Sequence, residues 1–130
     1  IQYTLVELDG LLTDSECQCL IDAAKERAEK VGWGEERHEN YATQDVKVWN
    51  LESEEAKGIF QRLLVEPMRI IIEDSFGLPR ETVEPDDCFV VKYTAEGQPA
   101  LDYHRDGSIV SAIVSLSDPS DYEGGGTEFR

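Results

Sequence analysis

Cys88-Phe89-Val90-Val91-Lys92-Tyr93, then Leu101-Asp102-Tyr103-His104-Arg105-Asp106-Gly107-Ser108, then Ile109-Val110-Ser111-Ala112-Ile113-Val114-Ser115-Leu116 is the stretch whose reading decides the fold. The first six residues are β-branched or aromatic apart from Cys88 and Lys92, which suits a pleated, half-buried strand. Residues 109–116 interleave isoleucine, valine and leucine with serine and alanine and read as a second strand. Turn signals at Glu96-Gly97 and across residues 117–122 separate and bound them. Everything beyond Pro85 therefore reads as β structure.

Upstream the pattern changes to helices. Residues 3–8 alternate in character and predict a first strand, ended by Asp9-Gly10. Thr13 with Glu16 three residues later forms a capping box, and Cys17, Leu20, Ile21, Ala24 and Ala28 recur at helical spacing until Val31-Gly32. Residues 33–41 are polar and read as a loop, and residues 42–51 read as a strand-like run through Val46, Val48 and Trp49. Ser53 caps a second helix through Ile59, Phe60, Leu63 and Leu64. Pro67 opens or kinks its continuation, which carries Met68, Ile71, Ile72 and Phe76 and stops at Gly77-Leu78-Pro79. Strand and helices first, then strands only, predicts an α+β chain with helices packed on one side of a β-sandwich or jelly roll. Its 130 residues suit one domain, with residues 1–85 as support and 86–130 as the first core strands.

Lys plus Arg number 12 against 28 Asp plus Glu, a net charge of −16, which repels phosphate backbones and anionic lipid and so removes nucleic acid and membrane surfaces as expected partners. A cationic substrate is compatible with that charge, as is a merely solvated acidic surface. The longest apolar runs, such as residues 68–72, are far too short to span a bilayer. The chain starts at Ile1 without a signal-like segment, which reads as a trimmed start. Cys17, Cys19 and Cys88 are too few and wrongly spaced for a disulfide framework and read as buried free thiols.

The chemistry sits in residues 101–108. In extended backbone, residues i and i+2 project to one side, so His104 and Asp106 can converge on one ion while Arg105 faces away. An imidazole and a carboxylate are two legs of the two-His-one-carboxylate set that leaves coordination positions open for a bidentate co-substrate and O2. The plain alternative is a surface histidine hydrogen-bonded to its neighbour. Tyr93 reads equally well as a strand aromatic or as a hydroxyl donor. Gly124-Gly125-Gly126 does not read as a phosphate loop, because no Lys-Ser/Thr follows; it reads as a strand opening or a hairpin turn. Asp118, Asp121 and Glu123 form an acidic turn without the spacing of a calcium loop.

The ordered blocks Phe89-Val90-Val91-Lys92-Tyr93, Gln98-Pro99-Ala100-Leu101, His104-Arg105-Asp106-Gly107-Ser108 and Asp121-Tyr122-Glu123-Gly124-Gly125-Gly126-Thr127-Glu128-Phe129 resemble the catalytic core of procollagen lysyl hydroxylases and the related prolyl 4-hydroxylases. Glu39-Asn40, Thr43-Gln44-Asp45-Val46 and Glu66-Pro67-Met68 resemble the segments that precede it, so the likeness covers about two thirds of the chain. The resemblance implies a double-stranded β-helix (jelly roll) and an Fe(II)- and 2-oxoglutarate-dependent dioxygenase that hydroxylates a peptidyl lysine or proline, releasing succinate and CO2. It implies His104 and Asp106 as iron ligands and Tyr93 as donor to the distal 2-oxoglutarate carboxylate, with ascorbate as an accessory reductant. A protein or peptide substrate and a secretory-lumen location follow from the same resemblance, and assembly into homo-oligomers is compatible with it. Tyr103, Arg105 and Thr127 depart from the animal lysyl pattern and leave lysine against proline open. The family's third ligand, a His, and the basic residue after it lie beyond the equivalent of Arg130, and His38 reads as a solvated side chain rather than that ligand. The expectation is an incomplete domain, inactive alone. The alternative is a catalytically silent jelly-roll binding module that keeps the pattern.

Overall fold

A computed structural model describes residues 4–35 and 43–130. Thr13 starts helix α1, Asp14–Val31, through both halves of the capping box: the Glu16 amide donates to Thr13 Oγ1 at 3.1 Å and the Thr13 amide to Glu16 Oε1 at 3.0 Å. Hydrogen bonding to the Thr13 backbone N–H, and then to the Thr13 side chain, holds the Glu16 carboxyl below its ordinary range. The face carrying Leu20, Ala23, Ala24 and Ala28 is buried. Its alanines let a second helix approach closely, and α1 packs on helix α2, Glu54–Leu63. Ser53 caps α2 by accepting from the Ala56 amide at 3.1 Å.

Strand β1, Gln44–Lys47, pairs antiparallel with strand β2, Phe89–Lys92, in the register Gln44 with Lys92 and Lys47 with Phe89. Both strands lie against α1. The strand expected over residues 42–51 is thus shorter. After Lys47 the chain coils into a 3₁₀ turn, Val48–Asn50, which drives Val48 and Leu51 into the core and leaves Trp49 edge-on against Phe60 at 5.3 Å. Val48 N–H still donates to the Cys88 carbonyl at 3.0 Å, so Cys88 sits just before β2 rather than within it. The three cysteines are free, as expected, but half-buried rather than buried.

Pro67 neither breaks nor restarts the helix. Residues Leu64–Met68 widen into a π-helical turn that leads directly into helix α3, Arg69–Phe76. Proline has no N–H and its ring crowds the carbonyl one turn back, and the wider turn relieves that conflict. Gly77, at φ 70°, closes α3 by donating to the Glu73 carbonyl.

Two expected strands differ. Residues 4–8 form no strand and leave Leu5 and Leu8 more than half exposed, and Tyr3 lies outside the described residues. Residues 109–116 join no ladder among the described residues either. Val110, Val114 and Leu116 are half-buried, Ala112 is exposed, and Ile109 is 91% and Ile113 73% exposed. The expected alternation is broken at Ala112. Of the loop expected at residues 33–41, Gly34 instead forms an isolated bridge with Asp45, and residues 36–41, including Glu39-Asn40, lie outside the described residues. Among the described residues no helix is long and apolar enough to cross a membrane.

Candidate metal and co-substrate site

The loop leaving β2 is turned by Thr94 to Gln98, whose backbone closes with Thr94 N–H donating to Gln98 O at 3.2 Å. A side chain at Gly97 would lie 2.7 Å from Thr94 Oγ1 and so displace the hydroxyl that accepts from the Gly97 amide at 3.0 Å. Tyr93 lies at the mouth of this turn, one residue past β2. Burial pushes its phenol above the ordinary value, which keeps the hydroxyl protonated and able to donate throughout the neutral range.

Beyond the turn the chain reaches His104 and Asp106. His104 Nε2 stands 3.2 Å from Asp106 Oδ1, so residues two apart do present their side chains to one point. His104 Nδ1 is 2.8 Å from the Asp102 carbonyl. A carbonyl can only accept, so Nδ1 carries the proton and donates. The other nitrogen then faces a carboxylate. A lone pair on Nε2 and a carboxylate oxygen repel each other unless a proton or a shared cation lies between them, and pinning Nδ1 to a backbone carbonyl is the usual support of a metal-binding imidazole.

Both side chains are reachable, at 29% and 52% exposure. The donor set, one imidazole nitrogen and one carboxylate, fits a borderline divalent ion such as Fe(II). Among the described residues no group of three or more His, Cys, Asp or Glu is placed to hold a metal. His38 lies outside the described residues. Asp118, Asp121 and Glu123 form no such group either. Asp118 instead caps the turn Pro119–Asp121, accepting from the Ser120 amide at 2.9 Å and hydroxyl at 2.8 Å, bonds that lower its carboxyl below the ordinary range.

Gly124 and Gly125 take φ of 76° and 73°, the left-handed region that side chains avoid, so the triple glycine makes a turn rather than opening a strand. Sequence reasoning missed three contributors. One is the Asp102 carbonyl, which any residue could supply and which composition cannot reveal. The others are Glu128, which accepts a hydrogen bond from the Tyr103 hydroxyl, and Arg130, whose guanidinium lies 3.7 Å above the Tyr103 ring centre. Tyr103 itself was visible as a departure from the lysyl pattern.

No family model matches the chain, and no solved structure does. A multifunctional procollagen lysine hydroxylase and glycosyltransferase of Caenorhabditis elegans is 34% identical over 94 residues, which is 71% of this chain. Over that stretch the chain is similar to a lysine hydroxylase. The matched stretch spans 12% of the relative's length. The relation is thus partial, to a hydroxylase that is an enzyme of more than one activity.

Proposed function

We propose that the chain belongs to an Fe(II)- and 2-oxoglutarate-dependent dioxygenase that hydroxylates a peptidyl side chain, lysine before proline. The observation that carries this reading is the His104–Asp106 contact with Nδ1 held by the Asp102 carbonyl. The similarity to a lysine hydroxylase supports the reaction class and favours lysine. The reading also takes residues 89–92, strand β2, as one strand of a double-stranded β-helix.

When bound, Fe(II) and 2-oxoglutarate supply an oxidative decarboxylation in which one atom of O2 enters succinate and the other the substrate, with loss of CO2. The chain's own residues bind and orient. His104 offers Nε2 because its Nδ1 proton is committed to Asp102, and Asp106 adds a negative charge on the same side. Tyr93 is the residue that would hold the distal carboxylate of 2-oxoglutarate, through its protonated hydroxyl. Ascorbate serves as an accessory reductant, and the net charge of −16 suits a lysine-bearing peptide.

Turnover decides between this enzyme and a binding module. The full-length protein, given Fe(II), ascorbate, 2-oxoglutarate and lysine- or proline-bearing collagen-like peptides, is expected to form succinate in step with a peptide mass gain of one oxygen atom, on lysine. Peptide binding with no succinate above the peptide-free control would instead identify a silent module.

A further inference from the structure

Tyr103 lies between the two parts of the site that must stay in register. The carbonyl that accepts from His104 Nδ1 belongs to Asp102, so it is part of the peptide unit joining Asp102 to Tyr103, and His104 follows immediately. Any rotation about the Tyr103 backbone swings that carbonyl relative to the imidazole. No helix or strand holds residues 101–108. Tyr103 makes two side-chain contacts with one distant segment: its hydroxyl donates to Glu128, and the Arg130 guanidinium stacks 3.7 Å above its ring. The return of that segment is made by the left-handed turn at Gly124 and Gly125, where a side chain on Gly125 would press within 3.2 Å of the Tyr122 ring.

We propose that Tyr103 is a positioning residue, clamped by Glu128 and Arg130, which holds the Asp102 carbonyl against His104 and so keeps the His104–Asp106 pair set for a divalent cation. The clamp couples the arm after the triple glycine to the metal pair, and this role rests on the reading of that pair as metal-binding. In this role Tyr103 acts only through its neighbours. Its place as a departure from the lysyl pattern makes it a feature of this chain.

The test uses Co(II) alone as the probe, read by its visible ligand-field absorption, together with amide hydrogen exchange over residues 123–130, in the full-length protein. Tyr103→Leu removes both contacts and is expected to weaken Co(II) binding about five-fold, the scale of two exposed contacts of this kind, with a changed band and faster exchange in the arm. Tyr103→Phe keeps the stack and should fall between, whereas Glu128→Gln keeps an acceptor oxygen and should stay near wild type. Trp33 and Trp49 fluorescence reports whether the variants retain the fold. Wild-type affinity, band and exchange in Tyr103→Leu would overturn the proposal. If the wild-type protein takes up no Co(II), the metal reading of the pair falls, and the exchange data alone judge the clamp: faster exchange in Tyr103→Leu supports it, unchanged exchange overturns it.

Discussion

Replacing His104 with alanine is expected to lower Fe(II) affinity on the order of 100-fold, the largest functional effect of any single substitution in the described chain. The imidazole is one of two donors that the described residues bring to this point, and its orientation is set by the 2.8 Å bond from Nδ1 to the Asp102 carbonyl. Removing it leaves a lone carboxylate with ordinary surface affinity for cations. Asp106→Asn tests the other donor without changing its shape: a neutral amide oxygen binds Fe(II) far more weakly than a carboxylate, so a comparable loss is expected. Anaerobic calorimetry of Fe(II) binding measures both. Retention of wild-type affinity in either variant would mean that the metal, if bound, is held elsewhere.

Leu51→Ala carries the largest expected cost to stability, about 2–5 kcal/mol. Leu51 is 2% exposed and ends the 3₁₀ turn that converts the β1 direction into the approach to α2. Its side chain belongs to one cluster with Leu20, Ala24, Val46 and Ile59, drawn from α1, β1 and α2, so the void left by truncation is walled by three elements that cannot all collapse at once. Urea denaturation followed by Trp49 fluorescence should show a lower midpoint at unchanged slope. A loss below about 0.5 kcal/mol, the range of surface substitutions, would show that this cluster is not the centre of the fold. Leu116 packs on the same cluster, so the variant also tests how firmly residues 109–116 are moored.

The helical half was legible because its signals are local. Thr13 with Glu16, Ser53 before α2 and Gly77 after α3 each satisfy helix-end groups within four residues, and all three act where the sequence placed them. The strands were less legible because a strand is completed by a partner that its own residues do not specify. Residues 89–92 found one in β1, whereas residues 109–116 have no described partner. Residues 42–51 misled because Val48 and Trp49 suit a strand by composition, yet burying Leu51 required a turn. At the site, the two-residue spacing of His104 and Asp106 was enough to place their side chains together, since only local geometry is involved. The Tyr103 contacts with Glu128 and Arg130 span 25 residues or more and depend on how the glycine turn returns the chain, which no local pattern encodes.

The most direct measurement is an anaerobic optical titration of the full-length protein with Fe(II), with and without 2-oxoglutarate. A visible charge-transfer band that requires both components, and that His104→Ala abolishes, is the predicted result. A band of equal strength in His104→Ala, or none in the wild-type protein at saturating Fe(II) and 2-oxoglutarate, would contradict the assignment of His104 and Asp106 to a shared ferrous centre.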